Sequence, residues 1–308
     1  MDLFIKELQG LIKEYVFFKP NNIELKKAVS LWCKNRNKAL QKYGHISNWN
    51  TSSITDMSYL FLDCYEFNDN INNWDVIHVT SMMYMFVEAQ SFNQPLDKWN
   101  VSSVINMNNM FQSAEKFNQN INTWDVSNVK NMECMFAYCK EFNQPLDKWD
   151  VSNVVNMASL FYDCFYFNQN LNTWNTSNVQ NMDSMFWHAY LFNGNINNWN
   201  VSKVKNMNHM FYSAKQFNQP LNDWDVSNVK IMKSMFENAN FFNQPLDKWN
   251  VSNVENIHSM FDEAIYFNQN LNKWNLSKIN GNNFNVFYCS NMQHYNALWY
   301  DFENDILK

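Results

Sequence analysis

Tryptophan recurs at positions 49, 74, 99, 124, 149, 174, 199, 224, 249 and 274, each 25 residues from the last with no insertion or deletion. A fixed period in the range of 20–50 residues marks a stacked array, and no other feature limits the fold so strongly. The two-domain expectation that 308 residues would raise gives way to one continuous core built by stacking. One unit, Trp124 to Lys148, reads WDVSNVKNMECMFAYCKEFNQPLDK. It offers about eight large apolar side chains, worth roughly 12–24 kcal/mol if fully buried. Ordering its backbone costs on the order of 25–50 kcal/mol. A lone unit therefore cannot fold, and stacking is obligatory.

Counting from the Trp as position 0, apolar residues fill positions 2, 5, 8, 11, 12, 15, 18 and 22. Positions 8, 11, 12 and 15 have the i, i+3, i+4, i+7 spacing of one helical face, with Asn or Asp at position 7 placed to cap it. The flanking alternation at 2, 5, 18, 22 and 25 predicts short strand segments in a parallel ladder between units. Each unit is thus expected to be a short helix plus short strands, an α/β solenoid. Helices need more room than strands, so the stack is expected to curve with its helices outside. Asn at position 19 is present in every complete copy, among them Asn93, Asn118, Asn143, Asn168, Asn193, Asn218 and Asn243. Stacked amides at this position are expected to form a structural ladder that satisfies turn backbone groups. Asp or Asn at position 1 fits an Asx turn better than a calcium ladder, because hard cations need several converging oxygens and the position is Asn in the other copies.

The flanks differ from the array. Residues 1–45 predict a helical N-terminal cap: an amphipathic helix over 1–19, then a second helix capped by Asn22, running through Leu40 and ending at Gly44. The array occupies 46–283, and 284–308, where the pattern decays after Trp274, predicts a C-terminal cap. The net charge of −6 is uneven, with nine basic and four acidic residues over 1–45 and −11 on the remainder. That balance excludes a basic stripe for nucleic acid along the array. Cys64, Cys139 and Cys164 share position 15 with Ala, which predicts buried reduced thiols and a reducing compartment. The acidic residues Asp2, Glu7 and Glu14 interrupt the first apolar pattern, so neither a secretory signal nor a membrane-inserting segment is expected. The expected location is intracellular.

The string W-D-V-S-N-V-x-N-M-x-x-M-F-x-x-A-x-x-F-N-Q-x-L, over residues 46–283, resembles the BspA-like leucine-rich-repeat family. It is most similar to the 25-residue, domain-of-unknown-function branch found in mycoplasma surface proteins and in microbial and giant-virus proteins. The lead-in from Glu24 to Phe61 is similar as well. The resemblance implies a right-handed, leucine-rich-repeat-like solenoid used for binding, with no assigned enzymatic activity. Many relatives are surface-attached, whereas no signal, lipobox or anchor is expected here. If the protein is viral, the host cytoplasm or the virion is its expected place.

No H-E-x-x-H, Walker or nucleophile-elbow pattern occurs, so no catalytic residue, metal site or cofactor is expected. The six His residues are scattered over different repeat phases. Recognition should lie in the letters that vary. Position 13 runs Leu62, Val87, Gln112, Ala137, Tyr162, Trp187, Tyr212, Glu237, Asp262, so three adjacent units carry aromatics there. With Tyr166, Tyr190 and His188 beside them, Tyr162, Trp187 and Tyr212 form a candidate patch for a protein partner or for self-association. The competing reading is lateral packing between neighbouring units. The favoured function is a non-enzymatic scaffold for protein–protein interaction; the alternative is a surface adhesin or glycan binder.

Overall fold

A computed structural model of the chain describes residues 18–279 and 284–307. The helix expected over 1–19 falls almost wholly outside the described residues, as does Gly281. Helix α1 spans Asn22–Lys34 and α2 spans Arg36–Tyr43. The N-cap is Asn21 rather than Asn22: its side chain accepts from the Ile23 and Glu24 N–H groups, and the Glu24 carboxylate returns to the Asn21 N–H as a capping box. The expected single helix breaks at Asn35, which leaves helical geometry and caps α2 by accepting from Lys38 N–H. Gly44, at φ 71°, ends α2 as expected. Trp32, Tyr43 and Phe18 pack around Trp49, with ring centroids 5.8, 6.0 and 5.5 Å away, so the helices cover the first unit.

The helix expected in each unit is absent. Positions 8–15 instead form a run of turns, and the positive φ values at positions 10 and 14 explain why. Tyr84 and Glu88, at 58° and 60°, are one such pair. A left-handed residue ends an α-helical run, and each costs about 1–2 kcal/mol for a residue with a Cβ. Backbone bonds between units offset that cost. The N–H groups of Met82, Tyr84, Phe86 and Glu88 donate to the carbonyls of Asn106, Asn108, Met110 and Gln112 in the next unit, at 2.8–3.0 Å. Donors that an α-helix would pair four residues back are thus spent on the neighbouring rung. Turns closed by Met85 N–H to Met82 O and Ala89 N–H to Phe86 O still bring positions 8, 11, 12 and 15 inward. That is why the apolar spacing resembles a helix. The strand segments also shrink, to isolated parallel bridges at position 7 that run from Asp56↔Ser81 to Ile231↔Asn256.

One core runs the length of the array. Trp rings stack 6.1–6.5 Å apart through the middle of the array, from Trp124–Trp149 to Trp174–Trp199. Phe rings at position 12 stack at a similar spacing, with Phe161–Phe186 at 5.6 Å. With no helix on either side, the premise for strong curvature disappears. From Trp99 to Trp274 each array Trp indole N–H donates to the position-22 carbonyl two units earlier, as Trp149 does to Ile121 at 3.0 Å, which removes the penalty for burying it.

The ladder also extends further than the ten-Trp pattern. Trp299 stacks on Trp274 at 6.2 Å and donates to Leu271 O, while Phe287 stacks on Phe261 at 5.6 Å. Phe287 is 26 residues from Phe261 but Trp299 is 25 from Trp274, so a one-residue slip that is later recovered hides this rung in the sequence. Beyond it, strands β1 (Tyr300–Asp301) and β2 (Ile306–Leu307) pair antiparallel, and Asp305 accepts from the Asn285 N–H.

Two of the three position-15 thiols are buried. Cys139 and Cys164 donate to the carbonyls of Phe111 and Phe136. Burial pushes both thiols well up from the ordinary cysteine range. Cys64 is different: it forms a disulfide with Cys33 of α1 across a Cα separation of 5.9 Å. The first unit has no preceding rung to enclose position 15, so Cys64 meets the helix instead. The expectation of a reduced thiol fails there, and with it the compartment argument drawn from that residue.

Candidate functional site

The position-19 amides form a continuous chain of bonds. Asn118 Oδ1 accepts from the Asn143 N–H at 3.0 Å and from Gln144 Nε2 at 2.9 Å. The Asn118 N–H donates in turn to Asn93 Oδ1 at 3.0 Å. The same backbone contact links Asn143 to Asn168, Asn168 to Asn193, Asn193 to Asn218 and Asn218 to Asn243. Every amide oxygen in this row is engaged by its neighbour, which leaves little of it for a ligand. Position-1 Asx turns form beside it, as where Asp125 accepts from the Ser127 N–H at 3.0 Å.

The uniform rungs act as a ruler for the residues that vary. Tyr162 and Trp187 stack at 5.5 Å and Trp187 and Tyr212 at 4.1 Å, both nearly parallel. Tyr138, at position 14 one unit earlier, extends the row with its ring 5.1 Å from Tyr162. The three position-13 rings are half-buried, so they pack laterally and still present their edges to solvent. His188 lies 5.6 Å from Tyr212 by ring centroid, with its Nδ1 3.7 Å from Asp163. Tyr190 and Tyr166 do not join this row. They belong to a second cluster around Phe165, which stacks on Tyr190 at 5.1 Å and meets Tyr166 edge-on at 4.9 Å. Lys215 places its ammonium 4.9 Å over the Tyr190 ring, continuing that row as a cation–π contact.

Besides Tyr138, the site contains a second residue that its sequence position did not suggest. His209 packs edge-on to Trp187 at 4.5 Å. It occupies position 10 of the following unit, and only the offset between facing rungs would have placed it there. Burial lowers its pKa, so the ring favours the neutral form. Burial also raises Asp163, against the pull of His188 and Lys140, and pushes Tyr162 up to about 12. The Trp187 indole N–H is buried and has no hydrogen-bond partner among the described residues. Among those residues no three His, Cys, Asp or Glu side chains converge as a metal site, and no helix is long and apolar enough to cross a membrane.

Fold and site together define a class: a tandem-repeat, solenoid-like protein whose uniform rungs carry a local run of stacked aromatic variants. The family described as "Mycoplasma protein of unknown function, DUF285" matches residues 30–144, 118–215 and 192–299, and the chain belongs to it. The search of curated proteins returned no match.

Proposed function

We propose that this protein is a non-enzymatic repeat scaffold for protein–protein interaction, with the row Tyr162, Trp187 and Tyr212 as its principal contact. One observation carries the reading: three large aromatics are held in register, half-exposed, on a rigid ladder whose other units place small, aliphatic or polar residues there. Aromatic anchors on a rigid support are what concentrated binding energy at protein interfaces requires. The alternative, a surface adhesin or glycan binder, needs open ring faces for sugars, whereas these faces are occupied by one another. We also place the array with the BspA-like leucine-rich repeats, on the strength of its fixed letters, and regard giant-virus relatives as its kin. An intracellular role, in a host cell or virion, is part of the same proposal.

The test is co-purification from the producing cell with the wild-type chain and with a Tyr162→Ser, Trp187→Ser, Tyr212→Ser variant. Sedimentation of both chains detects self-association. Loss of one stoichiometric partner, or of oligomers, in a variant that keeps its thermal midpoint within about 5 °C supports the scaffold. Retention of every partner by the folded variant refutes the role of the row. A variant that unfolds assigns the three rings to packing.

A further inference from the structure

Up to the Trp224 unit, each rung donates from positions 8, 10, 12 and 14 to carbonyls at positions 7, 9, 11 and 13 of the rung after it. The first rung therefore has no predecessor to use its own carbonyls. The carbonyls of Asp56, Ser58, Leu60 and Leu62 accept no hydrogen bond from any of the described residues, while the matching N–H groups of Met57, Tyr59, Phe61 and Asp63 are all engaged with the second rung. Helix α1 covers part of this edge, with Lys26 reaching Asp56. The rest opens into a cleft of about 710 Å3 between α1 and the first rung, whose lining includes Tyr59, Leu60, Leu62 and Tyr65. Tyr59, Leu62 and Tyr65 are exposed at 47%, 38% and 51%, large values for apolar groups in a cleft. One face of the Tyr59 ring stacks on Tyr84 at 5.0 Å, and its other face is the unfilled next place in that aromatic row. Asp63, Glu66 and Asp69 also line the cleft together with Lys26, Lys34 and Arg36, so its charge is mixed and favours neither sign of occupant.

We propose that this cleft is a rung-acceptor site. It binds a linear segment of a partner protein that donates alternate backbone N–H groups to Leu60 O and Leu62 O and lays an aromatic side chain on Tyr59. The chemistry selects the occupant. A row of unpaired acceptors on a ladder edge calls for a backbone with donors on one side, the principle by which peptides add to sheet edges. A second copy of the chain is the poorer fit, because the N–H edge at its far end is covered: Asn285 donates to Asp305, and Phe287 lies under Tyr300 and Phe302. This site is separate from the position-13 row and does not depend on it.

The test uses the full-length chain and a fluorescein-labelled peptide with the sequence of Thr80–Ser91, carrying two added lysines for solubility only, read by anisotropy. That peptide carries the donor pattern of a rung and a tyrosine at position 10. N-methylation at the residues matching Phe86 and Glu88 removes the two donors and should weaken binding by about tenfold or more. The Tyr59→Ala variant, which loses a half-exposed ring stacked on one side only, should weaken binding roughly fivefold while the chain stays folded, as its thermal melt checks. The Tyr162, Trp187, Tyr212 triple variant should bind the peptide like the wild type. The proposal is overturned if the parent peptide does not bind, or if the N-methylated and parent peptides bind equally. It is also overturned if Tyr59→Ala has no effect, or if the chain sediments as an oligomer that the peptide dissociates, which would make a second copy the occupant.

Discussion

The amide row at position 19 makes a quantitative claim about where the array's stability resides, and Asn118 tests it. Its side-chain oxygen receives two donors, the Asn143 N–H at 3.0 Å and Gln144 Nε2 at 2.9 Å. A backbone N–H can only donate, so the atom facing it must be oxygen rather than the amide nitrogen. Asn118→Ala removes both bonds, each worth about 1 kcal/mol net, and leaves the half-buried Asn143 N–H only partly served by water. The expected loss is about 2–3 kcal/mol. Asn118→Asp keeps an oxygen in place and should cost less than about 1 kcal/mol at neutral pH. Urea titration of the three proteins measures the difference. Hydrogen exchange at the Asn143 amide shows whether the loss is local, as nearest-neighbour coupling in a stack requires. If Ala is as stable as wild type, or if Asp is as damaging as Ala, the oxygen-acceptor account of the row is wrong.

Two further perturbations probe other parts of the ladder. At Gly194, where most units carry Gln, an added Cβ would lie 2.0 Å from the Gln169 carbonyl oxygen and 2.9 Å from its carbon. Backbone cannot swing aside, and the Leu171 N–H to Asn195 O bond nearby would be lost; Gly194→Ala should therefore lower stability by about 2–4 kcal/mol in the same urea assay. The Asp262 carboxyl is pushed up to about 6, by burial first and by the Glu237 charge second. Between about pH 4 and 6 the folded chain holds a proton that the unfolded chain releases, so this residue's contribution to stability falls as pH rises through that window. Asp262→Asn should flatten that slope in thermal melts and stabilise the protein at pH 7 by on the order of 1 kcal/mol, discounted for its solvent-facing side.

The repeat, its core positions and the stacked amides are legible in the sequence because identical letters at fixed spacing must occupy equivalent places in a stack. The local conformation of positions 8–15 is not, since inward residues at 8, 11, 12 and 15 satisfy both a helix and a turn run closed every three residues. The clue lay in what fills positions 10 and 14: Tyr, Asn, Ser, His, Cys, Asp and Glu, with no β-branched residue in either column. Left-handed backbone disfavours β-branched side chains most. Trp299 falls on the 25-residue period and continues the Trp series; what strict counting loses is Phe287, displaced by a one-residue slip that makes its unit look like decay. The Cys33–Cys64 pairing was invisible because repeat logic assigns Cys64 to the core, and only the missing preceding rung frees it. At the candidate site, position arithmetic finds Tyr162, Trp187 and Tyr212 because they share a phase. It misses His209, whose approach to Trp187 crosses phases between adjacent units.

The one-way bonding of the turn face also makes the molecule electrically polar. Four peptide units per rung point their carbonyls toward the N-terminal end, and the bonds at positions 6 and 17 run the other way and cancel only part of that alignment. Aligned peptide dipoles leave partial negative charge at the carbonyl end and partial positive charge at the N–H end. The side chains at each end have the complementary sign. Residues 19–42 place seven Lys or Arg against one Glu beside the carbonyl edge, while 284–307 place three acids and no Lys or Arg beside the N–H edge. Each terminal segment is thus matched in charge to the end it closes, and exchanging the two would set like charge against like.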